Sequence, residues 1–420
     1  MADARQVITL NNGVRMVFDA MPGLRTAAVG VFLGAGARHE PADRNGLAHF
    51  LEHMAFKGAN GLNAREIAEA VEARGASINA ATEYERTSYF VRCLSADAPE
   101  MLETALSLVF APSHPPEEIE REKGVVLQEI GEAADQPDDL VFELAQVASY
   151  PDHPLGRPIL GTEETLAPVT RNDLYDFARS NYAPHRTVIS VAGAFDRGAI
   201  EDIVHRWFDS REPLAREFLQ PPGQTGSAVR TEVRKLEQVH LVLGRRAPSA
   251  TSDDRFAARI FAEIFGGGMA SRLFQEVRES RGLAYTIDAS AEQYSDVGRV
   301  SVYAGCATKD AAEVVKLTSD IWAQMASDGP TEAELARAVA VAAASYAMAA
   351  EAPAARAGTA AYELLTFDRL VPVEEVLRRI DAVTADDVRR IARDCLAQPA
   401  IAAAVGPKAG LAAAEAFVSG

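Results

Sequence analysis

The stretch GLAHFLEHMAFKG, residues 46–58, holds two histidines and a glutamate within one predicted helix. Its apolar residues recur at three- and four-residue steps, as they do along a helix that packs one face on a core. His49 and His53 are four residues apart, so their imidazoles project side by side from one face of that helix. This spacing suits two ligands of one zinc ion.

Glu52 follows His49 by three residues and precedes His53 by one, so its carboxylate lies beside the same helix face. A carboxylate in that position can accept a proton from a water molecule whose pKa zinc has lowered to about 7. The order H-x-x-E-H is the inverzincin pattern of zinc peptidases. The alternative is a surface helix on which two histidines happen to stack while its apolar residues form the core face.

A catalytic zinc needs a third protein ligand, and the acidic helix predicted at 116–133 offers several glutamates. Most charge runs of this kind are solvated helix faces. Glu129 differs from the other glutamates because apolar residues surround it, which favours a half-buried position. Glu122 lies two turns earlier on the same face, from which it could hold a ligand or a histidine in place through a hydrogen bond.

The two halves of the chain repeat the same order of features at a separation of about 210 residues. The repeated features are a glycine that ends a helix, a cysteine that ends a strand and a proline that opens a helix: Gly75 and Gly282, Cys93 and Cys306, Pro116 and Pro330. At the same separation, Arg259, Ala262 and Glu263 stand opposite His49, Glu52 and His53. Only the first half therefore carries the predicted metal residues.

Strand hairpins precede blocks of helices in each half, which predicts an α+β fold. This order favours two similar domains, each a mainly antiparallel sheet with helices packed on one face. A stretch rich in proline and glycine at 214–230 is the candidate linker. The expected domains are therefore 1–213, with the H-x-x-E-H helix, and 231–420.

Composition narrows the classes of function. The chain has 420 residues with 42 Lys and Arg against 60 Asp and Glu, a net charge of −18 that argues against a nucleic-acid or membrane-surface role. Its three cysteines are far apart, which favours a reducing compartment over a disulfide framework. We find no signal-peptide core and no stretch long enough to span a bilayer, so the expected location is cytoplasmic.

Together these motifs resemble the pitrilysin/insulysin family of zinc peptidases, and within it the bacterial relatives of the mitochondrial processing peptidase β subunit. The resemblance covers nearly the whole chain. It is carried by residues 46–58, by GASINAATEYERTSYF at 75–90, by EREKGVVLQEI at 120–130 and by HPLGRPILGTEETL at 153–166.

The resemblance implies that His49, His53 and Glu129 bind one Zn²⁺ per chain. It implies in turn that Glu52 is the general base and that Glu122 supports the site without binding the metal. Gln128 stands where many relatives have glutamate, but that position is not a ligand.

By the same resemblance, Arg278 and Tyr285 donate hydrogen bonds to the substrate carbonyl oxygen. Asn79 and Ala80 would lie on an edge strand that pairs with the extended substrate. From the residues alone, the sequence instead favours a solvated helix position for Arg278 and a strand core position for Tyr285. Asn79 is equally consistent with a bend in an ordinary strand.

The resemblance implies a zinc-dependent endopeptidase that hydrolyses short or unfolded peptides inside a chamber formed by two chains. Because both sets of site residues are on one chain, a homodimer suffices, and a heterodimer with a related chain is the alternative. A second function class is a non-catalytic peptide-binding or scaffold subunit of a processing-peptidase-like complex. The expected partner is a peptide, and neither nucleic acid nor a membrane is expected.

Overall fold

The structure is a computed structural model that describes residues 5–213 and 221–419. Contacts within these residues form two compact units, each built around its own sheet. The first unit takes the described residues within Met1–Ile130, Arg157–Gln220 and Ala347–Val373, and the second takes those within Gly131–Gly156, Pro221–Tyr346 and Glu374–Gly420.

The secondary structure of the described residues alternates short groups of strands with groups of helices. The strands are β1 (Gln6–Thr9), β2 (Arg15–Ala20), β3 (Thr26–Leu33), β4 (Gly58–Ala59), β5 (Leu62–Asn63), β6 (Ser77–Thr82), β7 (Thr87–Leu94), β8 (Thr187–Gly193), β9 (Ala228–Val233), β10 (Gln238–Ala247), β11 (Ala284–Gln293), β12 (Gly298–Ala307) and β13 (Ala400–Gly406). The α-helices are α1 (Leu47–Ala55), α2 (Ala64–Glu72), α3 (Ala98–Phe110), α4 (Pro116–Asp135), α5 (Pro137–Ser149), α6 (Glu163–Leu166), α7 (Arg171–Asn181), α8 (Arg197–Phe208), α9 (Arg255–Ala262), α10 (Ala311–Asp328), α11 (Glu332–Ala349), α12 (Pro353–Phe367), α13 (Val373–Asp381), α14 (Ala385–Leu396) and α15 (Lys408–Ser419). Two π-helical turns, Glu263–Gly267 and Phe274–Ser280, follow α9.

The first unit contains a six-stranded sheet in the order β1-β2-β8-β3-β7-β6. Strands β2 and β8 are parallel, and the other neighbouring strands are antiparallel. Strand alternation directs Val29, Val31 and Leu33 of β3 to one face, where they share a core with residues of α1 and α3. Phe32 of β3 points to the opposite face and packs with Leu364 of α12.

The second unit contains a five-stranded sheet in the order β11-β12-β10-β13-β9, in which only β13 and β9 are parallel. Apart from β1, the first sheet has the same order when β6, β7, β3, β8 and β2 are matched with β11, β12, β10, β13 and β9. Gly75 and Gly282 precede matched strands with φ of 59° and 63°, and Cys93 and Cys306 lie on the matched strands β7 and β12. The predicted α+β fold with two similar, mainly antiparallel sheets is confirmed.

Each sheet has a main helical layer on one face and a single helix on the other, α12 in the first unit and α5 in the second. The compact units differ from the contiguous domains expected, 1–213 and 231–420, because α5 belongs to the second unit and α12 to the first. Of the expected linker at 214–230, residues 214–220 lie outside the described residues. Its boundaries stay a prediction.

Within the described residues, no single helix has the length and apolar composition needed to cross a membrane, and α11 and α12 pass that test only as a bent pair.

Candidate metal centre

A buried carboxylate anchors the N-terminus of helix α1. Glu40 accepts hydrogen bonds from the backbone nitrogens of Gly46, at 2.8 Å, and Ala48, at 2.6 Å, and from the side chain of Asn45 at 2.8 Å. These backbone N–H groups have no partner within the helix, and a negative charge there also complements the helix dipole. Burial raises the pKa of Glu40 to about 7. Glu40 therefore fixes the start of the helix that carries both histidines.

Gly46 is required where α1 begins. Its φ of 92° is left-handed, and a Cβ at this position would come within 2.6 Å of the Leu160 carbonyl oxygen. The chain can therefore turn into α1 against the 160–161 segment only with glycine at this position.

The two histidines of α1 lie on the face opposite its core residues. Phe50, Leu51 and Met54 are buried in the first unit, whereas the rings of His49 and His53 are only partly buried and have centroids 4.6 Å apart. This arrangement follows from the helical period, which separates the apolar stripe from positions 49 and 53.

Helix α4 brings Glu129 to the two imidazoles. Glu129 Oε2 lies 3.8 Å from His49 Nε2 and 3.5 Å from His53 Nε2, and one ligand atom of each residue lies within 4.8 Å of the other two. Both pairs are long for hydrogen bonds, but ligand atoms bound to one zinc ion at 2.0–2.1 Å are themselves separated by about 3.3 Å. The separations of the three side chains therefore suit ligands of one shared metal ion better than they suit hydrogen bonds between the side chains.

His49 is suited to donate a lone pair. Burial, together with the nearby charge of His53, lowers the pKa of His49 to about 4, so its ring is neutral at neutral pH. The buried Nδ1 of His49 has no hydrogen-bond partner among the described residues.

Glu122 supports the second histidine from behind. It is buried, with one oxygen 3.2 Å from His53 Nδ1 and the other accepting a hydrogen bond from Lys57 Nζ at 2.7 Å. A carboxylate bonded to one imidazole nitrogen keeps the other nitrogen free for a metal, as supporting carboxylates do in metal sites. The sequence predicts the supporting position of Glu122 but not that of Lys57, whose place four residues after His53 is the available signal.

Glu52 lies on the same helix and is bonded to the sheet edge. Thr82, the last residue of β6, donates a hydrogen bond from Oγ1 to Glu52 Oε2 at 2.5 Å. Burial raises the pKa of Glu52, against the opposing effect of the Thr82 bond, and the charges of His53 and Glu129 are close enough to contribute. Sequence reasoning missed Thr82, which is 30 residues from Glu52 and carries no local signal.

Strand β6 is the edge of the first sheet and contains the two expected substrate-binding residues. It pairs with β7 in unbroken register from Ser77 to Thr82, so Asn79 does not mark a bend. Alternation places Ala80 on the face of Thr82, toward the site, and Asn79 on the opposite face. The Asn79 side chain accepts a hydrogen bond from the Ala80 backbone nitrogen at 2.9 Å.

Arg278 and Tyr285 meet within the second unit. Arg278 belongs to the second π-helical turn and Tyr285 to β11, and the guanidinium carbon lies 4.9 Å from the centroid of the Tyr285 ring. Tyr285 is 77% exposed, so it is not a core residue. Their contact with a substrate stays a prediction.

The chain is similar to known peptidases over most of its length. Residues 15–163 match the family described as Insulinase (Peptidase family M16), and residues 168–341 match the family described as Peptidase M16 inactive domain. The chain is 35% identical to an "uncharacterized zinc protease" of Mycobacterium tuberculosis (strain ATCC 25618 / H37Rv), over 95% of this chain and 92% of the relative. It is 33% identical to the "uncharacterized zinc protease YmxG" of Bacillus subtilis (strain 168), over 95% of this chain and 97% of the relative.

These relatives are named zinc proteases, and the chain belongs to peptidase family M16, the insulinase family. The resemblance found in the sequence is thereby confirmed. All the candidate metal residues lie within the Insulinase match, and Arg278 and Tyr285 lie within the match to the inactive domain.

Solved structures agree with this fold. A peptidase M16 inactive domain from Pseudomonas fluorescens superimposes with a TM-score of 0.87 at 21% identity, covering 96% of this chain and 98% of the other. A protease from Helicobacter pylori gives the same TM-score and identity, covering 96% and 99%.

Proposed function

We propose that this chain is a zinc-dependent endopeptidase that hydrolyses short or unfolded peptides. The observation that carries the proposal is that ligand atoms of His49, His53 and Glu129 meet within 4.8 Å, next to the half-buried carboxylate of Glu52 on helix α1. Membership of family M16 and the names of the relatives support the same function.

The donor set fits one zinc ion per chain. Two imidazole nitrogens and one carboxylate oxygen are the ligands of a catalytic zinc, and three protein ligands leave a fourth position open. When bound, zinc supplies a Lewis acid that polarises a carbonyl group and lowers the pKa of a water molecule to about 7. Glu122 orients His53 by accepting a hydrogen bond from Nδ1–H, which leaves Nε2 directed at Glu129.

Glu52 is the proposed general base. Thr82 bonds its Oε2, so Oε1 is the oxygen that accepts a proton from the attacking water. Because burial raises its pKa, Glu52 binds that proton more firmly than an exposed glutamate would. The same group can then return the proton to the nitrogen of the leaving amine.

The substrate is proposed to bind as an added strand on β6. The free edge of β6 offers backbone donors and acceptors to an extended peptide, and Asn79 and Ala80 lie on that edge. Because Thr82 of this strand bonds Glu52, a peptide paired here would pass the proposed base. An unfolded chain can present its backbone in this way, whereas a folded protein cannot.

Arg278 and Tyr285 are proposed to donate hydrogen bonds to the carbonyl oxygen as negative charge develops on it. In the proposed assembly two chains enclose the peptide, and these residues act on the zinc site of the partner chain. A homodimer suffices, and a heterodimer with a related chain is the alternative. Cytoplasmic location and the absence of nucleic-acid and membrane partners belong to the same proposal.

The other function class is a non-catalytic peptide-binding or scaffold subunit. Such a subunit would not need a base, yet Glu52 is held next to the candidate metal residues. The two classes therefore differ in what Glu52→Gln does.

The test is digestion of a mixed peptide library by zinc-loaded wild-type protein and by the Glu52→Gln variant, with cut sites read by mass spectrometry. We expect Glu52→Gln to keep its zinc and its melting temperature and to lose about 100- to 10,000-fold in rate. Glu117→Gln, an exposed site on α4, makes the same charge change and should cleave as the wild type does. Cleavage by Glu52→Gln at the wild-type rate would contradict the proposed role of Glu52.

A further inference from the structure

The first sheet has an open groove on the face opposite the metal centre. We call it the outer groove: a cavity of about 450 Å³ between α12 and strands β3, β7 and β6. Its volume lies in the range of ligand-binding pockets, and its lining is mainly apolar. The lining residues used below are Ala81, Arg86, Phe90, Gly358 and Tyr362, together with Glu83.

The groove exists because α12 covers only part of the sheet. It packs on β2, β3 and β8, where Val17, Phe32 and Val188 meet Leu364, and the groove lies beside it over the outer faces of β7 and β6. Phe90 of β7 and Ala81 of β6 therefore line the groove from the side on which β6 has no neighbouring strand among the described residues.

The second unit has an aromatic side chain at the equivalent place. There Phe142 of α5 stacks on Tyr303 of β12, with ring centroids 5.3 Å apart. Tyr303 precedes Cys306 by three residues, as Phe90 precedes Cys93.

The helices match as well. Phe142 lies five residues after Pro137, which opens α5, and Gly358 lies five residues after Pro353, which opens α12. The first unit therefore has glycine where the second has an aromatic ring that stacks on the strand, although Phe142 itself stays 38% exposed.

Packing does not require that glycine. A Cβ at Gly358 would meet no atom within 4 Å, and its φ is not left-handed. Glycine is also one of the least favourable residues in a helix interior. The sequence thus keeps the outer groove open at a position where a larger residue would fit and would favour the helix.

The groove adjoins the edge that the proposed substrate would join. A second hollow of about 470 Å³ shares Ala28 and Ala354 with it and is lined on β6 by Ser77. Ser77 and Ala81 lie on the same face of β6, four residues apart. The depression therefore follows β6, as a paired peptide strand would.

A peptide strand paired with β6 would present its side chains to both faces of the sheet. Alternate side chains of a strand paired with β6 would point to the Thr82 face and to the Ala81 face. Side chains of neighbouring strands stand about 5 Å apart, and Ala81 has only a methyl group, so a long side chain can reach across it into the groove.

We propose that the outer groove binds an aromatic or long aliphatic side chain of a peptide paired with β6, and so selects the peptides that are cleaved. The inference rests on the proposed function. The rings of Phe90 and Tyr362 supply apolar contact. At the rim Arg86 pairs with Glu83 and covers the Tyr362 ring at 4.5 Å, so the pair presents no net charge and an uncharged side chain is favoured.

The test measures binding, so that it does not depend on hydrolysis. Fluorescent decapeptides, each with one phenylalanine moved along an otherwise Ser/Ala sequence, are titrated against Glu52→Gln and against Glu52→Gln combined with Gly358→Phe. We expect phenylalanine at one position to tighten binding about tenfold or more, and Gly358→Phe to abolish that preference by placing an aromatic ring in the groove. Gly198→Phe on α8, an exposed helical glycine, is the matched control and should keep the preference.

Ala81→Leu blocks the groove from β6 and serves as the independent variant should Gly358→Phe unfold. A preference for phenylalanine that survives both substitutions would overturn the inference, and so would the lack of any preference in Glu52→Gln itself. A preference that Gly358→Phe abolishes, in a protein whose wild type cleaves no peptide, would support the groove and contradict only the proposed hydrolysis.

Discussion

The two sheets of this chain have the same strand order and one parallel pair each, yet they differ in the helix that packs near the edge strand. In the first unit α1 carries His49, Glu52 and His53. At the matching positions of the second unit, Arg259 donates a hydrogen bond to Gln293 at 2.9 Å, and Ala262 and Glu263 complete the helix end. The scaffold is common to both units, and a few side chains on α1 and α4 distinguish the unit that contains the candidate metal residues.

The sheet faces covered by α12 and α5 also differ between the two units. In the second unit Phe142 stacks on Tyr303, while in the first unit glycine at the matched position leaves a groove. The first unit therefore differs from the second in having candidate metal ligands on one face of its sheet and a groove on the other face.

The largest expected effect comes from breaking the metal site. We expect His53→Ala to abolish zinc binding and to lower peptide hydrolysis by more than about 1,000-fold, beyond the 10- to 100-fold typical of supporting residues. Glu263→Ala, the matched position in the second unit, should keep one zinc per chain. Zinc content and cleavage rate measure both variants, and zinc retained in His53→Ala would refute the assignment.

A second prediction asks how the two units cooperate. Glu52→Gln and Arg278→Ala chains are each expected to be nearly inactive. If Arg278 acts on the partner's zinc site, a mixture allowed to exchange subunits forms mixed dimers with one intact site, so about a quarter of the wild-type rate should return. The rate before and after exchange is the measurement. The same low rate before and after would show that Arg278 does not act across the dimer.

A smaller effect is expected where the first unit supports its ligands. Glu122→Gln should weaken zinc binding about 10- to 100-fold. The carboxylate accepts hydrogen bonds from His53 and Lys57 on its two oxygens, whereas the glutamine amide has only one oxygen to accept them. Competition with a chelator gives the affinity. An affinity equal to that of the wild type would mean that Glu122 does not orient His53.

The smallest expected effect is on folding stability, and it compares Glu334 of the second unit with Glu120, the matched glutamate of the first. Hydrogen bonds from Arg272 lower the pKa of Glu334 to about 2. Because this pKa lies below that of an unfolded glutamate, the stabilisation is present above about pH 4.5 and is lost as the pH falls toward 2. We expect Glu334→Gln to cost about 1–2 kcal/mol at pH 7 and to flatten that acid transition.

Glu120 occupies the matched position, four residues after the proline that opens its helix, but it is exposed and accepts a hydrogen bond from Lys123 on its own helix. Glu120→Gln should change the unfolding free energy by less than about 0.5 kcal/mol. Urea unfolding from pH 7 to pH 3 measures both variants, and equal effects would contradict the contrast.

Sequence reasoning found the parts of the site that depend on local spacing. The helical period places His49 and His53 together, and the apolar neighbours of Glu129 indicate its half-buried position on α4, predicted at 116–133 and observed as Pro116–Asp135. The repeated glycines and cysteines predict the two matched sheets. These signals succeed because helix faces and strand ends are set by neighbours in sequence.

What the sequence could not show depends on contacts between distant segments. Thr82 contacts Glu52 because β6 passes close to α1. Helix α5 comes from the first half of the chain but belongs to the second unit, and α12 comes from the second half but belongs to the first unit. Glu40 escapes the usual capping rule because the cap position itself is Gly46, and the capping carboxylate comes from six residues earlier.

The most direct test of the account is zinc X-ray absorption on protein loaded with one equivalent of Zn²⁺, beside His49→Ala/His53→Ala. The account predicts one zinc per wild-type chain, with two imidazole nitrogens and carboxylate oxygen at about 2.0–2.2 Å, and loss of that signal in the double variant. A spectrum without imidazole ligands, or the same bound zinc in the double variant, would contradict it.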